Sequence, residues 1–258
     1  MSLDTGIPHS ARIWNYWLQG KDHFESDRAA GEQILALVPD LVTSARADRE
    51  FLHRAVGFLA GEAGIRQFLD IGTGLPSANN THEVAQGVAP DARIVYVDND
   101  PLVLAHARAL LTSTDEGVSD YIDADLRDPG TILEGAARTL DFDKPVAIML
   151  LGILNFIIAD EQAEAVLGQL IDAVPPGSYL VVSHPTTEVH GEAMTEAVRL
   201  WNSTGGAEMR LRDKAGVESF FAGLEVLEPG IVTCSAWRPD AGGGIEDVSH
   251  FGGVGRKP

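Results

Sequence analysis

Apolar residues recur at helical spacing through residues 8–60: Ile13, Trp14, Trp17 and Leu18, then Ile34, Leu35 and Leu37, then Phe51, Leu52, Val56, Phe58 and Leu59. Gly20 and Pro39 punctuate the series. Past residue 60 the pattern changes. Short continuous apolar runs at 66–71, 93–97, 118–122, 146–151 and 178–183 alternate with helical stretches at 81–88, 101–111, 130–140 and 160–173. That alternation predicts an α/β fold with a parallel sheet and helical crossovers. Toward the end, helical stretches at 186–201 and 214–221 precede two runs at 224–227 and 231–237, separated only by Glu228, Pro229 and Gly230. This is hairpin spacing, and it predicts that the last two strands are antiparallel.

Composition narrows the class. A chain of 258 residues with 45% apolar and 22% charged residues can bury a substantial core without disulfides or metal. No run approaches a membrane span, and the N-terminus lacks a signal-peptide core, so a cytoplasmic location is the expectation. The single cysteine, Cys234, sits in an apolar run and reads as a buried packing residue. No His, Cys or Asp cluster has metal-ligand spacing. A net charge of −19 without any basic cluster argues against a nucleic-acid partner, since phosphate binding requires positive patches. A small molecule fits better.

The chemistry gathers at "DIGTGLPSANN", after the first predicted strand. Gly72 and Gly74 form a G-x-G, but the third glycine of a dinucleotide fingerprint is absent and Pro76 interrupts the approach to the helix. Asp70, at the end of that strand, would repel a pyrophosphate and suits a cationic ligand with amino donors. The second strand ends at Asp98, placed to accept from vicinal ribose hydroxyls. The third ends in Asp123, Ala124 and Asp125, where a carboxylate can meet an exocyclic amine. Three successive strands thus bring acids to one rim, where open α/β sheets bind ligands.

Together D-I-G-T-G, VDND, ADLRD and the terminal GLEVLEPGIV resemble a class I S-adenosylmethionine-dependent methyltransferase. The N-terminal SARIWNYWLQGKDHFESDRAAGE and the C-terminal HFGGVGRK are similar to an actinomycete family of S-adenosyl methyltransferases of unassigned substrate. The resemblance implies a Rossmann-like, mostly parallel seven-stranded sheet with an antiparallel last strand. It implies a helical extension or cap at 1–60 and an S-adenosylmethionine-binding domain at 61–258. It places Asp70, Gly72 and Gly74 at the methionine end of the cofactor, Asp98 and Asn99 at the ribose, and Asp125 with the Leu126 backbone at the adenine. The segment 151–156, with Gly152 and Asn155, would run under the sulfonium; Asn155 stands where related sequences suggest histidine. The Leu75 to Asn80 stretch lengthens the first turn, with Thr81 expected as the cap of the following helix.

Methyl transfer from a sulfonium needs chiefly positioning and exclusion of water, and a base only where the acceptor must lose a proton. His184 is the candidate base, with His190 and His9 behind it; His53, His82 and His106 are expected to face solvent. Trp14, Trp17 and Leu18 share a helix face suited to packing. Tyr16 and the Gly20-Lys21-Asp22 turn are expected to fold across the rim, with Lys21 meeting the cofactor carboxylate. The function that emerges is methyl transfer to oxygen or nitrogen of a small-molecule acceptor. An NAD-dependent oxidoreductase and a non-catalytic protein binding S-adenosylmethionine or S-adenosylhomocysteine are the alternatives.

Overall fold

In a computed structural model, which describes residues 5–77, 79–110, 112–240 and 245–258, three helices precede the sheet. They are α1 (Ser10–Trp17), α2 (Glu25–Leu37) and α3 (Leu41–Gly61). There follow β1 (Gln67–Ile71), α4 (Thr81–Val88), β2 (Arg93–Asp98), α5 (Pro101–Leu110), β3 (Val118–Asp123), α6 (Pro129–Ala136), β4 (Ala147–Leu151), α7 (Asp160–Asp172) and β5 (Tyr179–Pro185). The last part holds α8 (Gly191–Asn202), α9 (Lys214–Glu218), β6 (Glu225–Val226), β7 (Val232–Thr233) and β8 (His250–Arg256). Leu111, the last residue of the helix expected over 101–111, and Ala78 of the lengthened turn lie outside the described residues.

The strands run in the order β3-β2-β1-β4-β5-β8-β6, and β7 also pairs β8. The five strands β1 to β5 are mutually parallel, and β8 is antiparallel to β5. Parallel strands need cover on both faces, and alternating side chains of each strand enter two different cores. Leu69, Val95, Ile148 and Val182 pack on one face with Ile132 of α6 and Leu167 of α7. Phe68, Ile94, Met149 and Val181 pack on the other with Phe51, Val56 and Leu59 of α3.

The hairpin expected between 224–227 and 231–237 does not form. β6 and β7 each pair antiparallel with β8, at Glu225↔Arg256 and Val232↔Gly252, so they run in the same direction, end to end. A turn closed by Gly230 N–H donating to Leu227 O (2.8 Å) bulges outward and the chain resumes its course. The true antiparallel strand is the glycine-rich HFGGVGR, whose glycines let neighbours approach. A Cβ at Gly255 would meet Phe221 Cδ1 at 2.7 Å, and one at Gly252 would meet the Phe51 ring at 3.0 Å.

A third apolar cluster lies apart from both faces. It joins Ile13 and Trp17 of α1, Ile34 of α2, Leu41 and Ala45 of α3, Phe156, and Met194, Ala197 and Trp201 of α8. These helices stand over the carboxyl ends of the parallel strands.

Candidate functional site

Beneath those helices is a cavity of ≈ 450 Å³. One wall is made by strand ends. Asp70, Asp98, Asp125 and Leu126 line it, delivered by β1, β2 and the turn after β3, with Asn99 beside them. In-register pairing of Asp70 with Tyr96 and of Asp98 with Asp123 sets these ends at one edge. Gly72, Gly74 and Gly152 line it too, with φ of +77°, +65° and +60°. Such left-handed values suit glycine and let backbone face a ligand directly. A Cβ at Gly72 would strike Ile153 at 2.6 Å, so the turns after β1 and β4 interlock.

Each acid is held in place. Asp98 accepts from Gly74 N–H and from Asp100 N–H, both at 2.9 Å. Asp70 Oδ2 accepts from the Thr81 hydroxyl at 2.6 Å. Burial pushes the Asp70 carboxyl up to about 6, against the Thr81 bond and the nearby Arg49 charge, and burial raises Asp98 as well. Asp125 accepts from Asn99 Nδ2 (3.1 Å) and from Arg127 Nη1 (3.0 Å). The Thr81 hydroxyl, engaged with Asp70, is therefore not the helix cap. Asn80 takes that position, its N–H donating to Glu83 Oε2 at 2.7 Å.

The other residues singled out by the sequence divide. Asn155 lines the cavity, buried, and its Oδ1 has no hydrogen-bond partner among the described residues. Tyr16 and Lys21 do not line it, although Gly20 and Asp22 do. The Tyr16 hydroxyl donates to Glu32 on α2 at 3.2 Å, and Lys21 is exposed. His184 is also outside the lining. Strand alternation turns it into the core, against Phe220. Its Nδ1 lies 2.8 Å from Pro185 O and its Nε2 3.0 Å from Arg212 Nη1, so both nitrogens are occupied. Burial drives its pKa down to about 3. His9 lines the cavity with Nδ1 3.3 Å from Asp100 Oδ2, whereas His190 faces Asp40 at 3.5 Å and lies outside it. His82, expected in solvent, is buried, its Nδ1 2.9 Å from the Tyr96 hydroxyl.

Among the lining residues not singled out are Asp48 and Arg49 on α3, Asn15 on α1, and His250 at the start of β8. Arg49 sits close enough to Asp70 for each charge to favour the other. Asp48 is buried, and desolvation lifts it to about 6. Arg12 and Asp100, both buried, form a bidentate pair at 3.0 and 3.1 Å that fastens α1 to the end of β2. An arginine on an apolar helix stripe and the second acid of VDND were the available signals.

Carboxylates on three successive strands, glycine turns and no third glycine suit a ligand with an amino group, vicinal hydroxyls and an exocyclic amine. A family described as S-adenosyl methyltransferase matches residues 1–258. The chain belongs to this family. Its fold matches a DUF574 family protein from Streptomyces avermitilis MA-4680, with 44% identity, a TM-score of 0.95 and complete coverage of both chains (100%). A candidate methyltransferase from Thermobifida fusca YX is 41% identical with a TM-score of 0.90, over 98% of this chain and 96% of that one. Among curated relatives, the carboxy-S-adenosyl-L-methionine synthase of Pseudomonas syringae pv. syringae (strain B728a) is 25% identical over 162 residues, 61% of this chain and 61% of that protein's length.

This S-adenosyl methyltransferase uses S-adenosylmethionine, which supplies a methyl group already activated on a sulfonium. The chain's own task is to orient the two reactants and keep water out. Among the described residues no helix is long and apolar enough to cross a membrane.

Proposed function

We propose that the methyltransferase modifies oxygen or nitrogen of a small-molecule acceptor. What carries this reading is the convergence of Asp70, Asp98 and Asp125 on one wall of a cavity whose roof is helical and largely apolar. In it, Asp98 and Asn99 receive the ribose hydroxyls, and Asp125 with the Leu126 backbone faces the adenine. Gly72, Gly74 and Gly152 give close backbone approach, and Asn155 stands beside the point of transfer. Asp70 takes the cofactor ammonium. Arg49, beside Asp70, takes the carboxylate in place of the exposed Lys21. A roofed cavity of ≈ 450 Å³ suits small acceptors rather than a polymer.

Calorimetry tests the cofactor half. S-adenosylmethionine is expected to bind and NAD is not. Asp98→Ala is expected to weaken binding by ~1–3 kcal/mol, because two hydroxyl donors lose a charged acceptor; unchanged affinity would remove Asp98 from the site. Formation of S-adenosylhomocysteine with candidate hydroxyl and amine acceptors tests the other half.

A further inference from the structure

We infer that the end of the cavity beneath α1 and α8 is the acceptor subsite, and that it takes an uncharged, flat, apolar molecule whose hydroxyl or N–H is received by His250. This rests on the methyl-transfer reading and adds the acceptor's chemistry to it.

The walls at this end come from the third apolar cluster. Trp17, Ile34, Met194, Trp201 and Met209 line the cavity there, and α2, α8 and the segment 203–212 send no charged side chain into it. The charges of α8 face outward, as in the exposed Glu196–Arg199 pair. Two indoles have their N–H groups satisfied within the protein. Trp17 Nε1 donates to Gly31 O at 3.4 Å and Trp201 Nε1 to Ala207 O at 2.7 Å, which leaves hydrocarbon to meet a ligand.

Among the polar groups of the lining, one packs directly on this aromatic surface. His250 is 4% exposed, lines the cavity, and packs edge-on to Trp14 with ring centroids 5.4 Å apart. Its Nδ1 is buried without a hydrogen-bond partner among the described residues, as is the Asn155 Oδ1. Buried polar atoms are nearly always paired, so an unpartnered nitrogen on a residue that lines the cavity marks where a ligand donor can supply the partner. Burial also lowers the His250 pKa to about 4, which keeps the ring neutral and able to accept. Asp48 and Asp70 line the same cavity and disfavour an anionic acceptor. Asp48 is turned toward Cys234, with Oδ1 3.8 Å from Sγ, and so does not mark a cation site.

The test uses protein loaded with S-adenosylhomocysteine and a matched series followed by calorimetry: 2-naphthol, 2-methoxynaphthalene, 2-naphthoate and 2-naphthylmethylammonium. Saturable binding of 2-naphthol is expected, about tenfold tighter than the methoxy compound that lacks the donor, with both ions weaker than either. His250→Phe should bring naphthol and methoxynaphthalene to parity, and His250→Gln should restore the preference, each with S-adenosylhomocysteine affinity retained as the control for folding. The proposal is overturned by an ion binding as tightly as 2-naphthol, by no saturable naphthol binding, or by a preference that survives His250→Phe. The wild-type series alone decides the acceptor class should a variant not fold. If S-adenosylhomocysteine does not load at all, the methyl-transfer reading itself falls and the acceptor subsite with it.

Discussion

Asp70 has two faces, one toward Thr81 and Arg49 and one toward the cavity, and burial sets its proton affinity. With its carboxyl raised to about 6, the folded protein binds a proton between the unfolded value of 3.8 and 6. Stability of the ligand-free protein therefore declines as pH rises through that window, since the buried carboxylate must ionise. Ligand affinity runs the other way. A cofactor ammonium pairs with the ionised form, which is lost as pH falls through about 6. S-adenosylmethionine affinity, measured from pH 5 to 8, should be flat above pH 7 and fall toward ~tenfold per unit at the acid end. Asp70→Asn should flatten this profile, whereas Asp48→Asn should leave it; a profile unchanged by Asp70→Asn would reassign the proton. Asp70 was legible because a strand and a glycine turn bracket it. Asp48, Arg49 and His250 were not, because a charged or imidazole residue in a helix or a glycine-rich run gives no sign of which cavity it faces.

At the scale of elements, the strands β1 to β5 were legible because continuous apolar runs of that length have few other uses. β8 was not. Its side of the ladder is Gly252, Gly253 and Gly255, a pattern that reads as turn, and its strand character comes from pairing with Tyr179–Pro185 on one side and with β6 and β7 on the other. The hairpin reading failed for the same reason, since the partner that straightens β6 and β7 lay more than a dozen residues ahead. The glycines are there to admit Phe51, Ile231, Phe221 and Leu224. Gly255→Val is expected to destabilise by about 1–3 kcal/mol through overpacking against Phe221 and Leu224. Urea unfolding measures this, and an unshifted midpoint would show that the space beside β8 is looser than the distances state.

At the scale of the whole molecule, α1 is fastened to the end of β2 by a buried ion pair whose partners lie 88 residues apart, Arg12 in α1 and Asp100 after β2. Nothing local in sequence pairs them, so the sequence suggested that this segment crosses the rim but not what fastens it there. Breaking a buried pair leaves an uncompensated charge at a cost of about 3–5 kcal/mol. Arg12→Ala should therefore release α1 from the rim, seen as faster amide hydrogen exchange over Ser10–Trp17 and as weaker S-adenosylmethionine binding. Unaltered exchange would mean that apolar packing alone seats the helix. The single antiparallel strand has a practical result as well. β8 begins at the cavity with His250 and ends at Arg256, opposite Tyr179 at the start of β5, with Lys257 Nζ donating to Ile171 O and Val174 O at 2.8 Å each. A fusion partner or surface tether joined after Pro258 thus emerges at the end of the strands opposite the cavity.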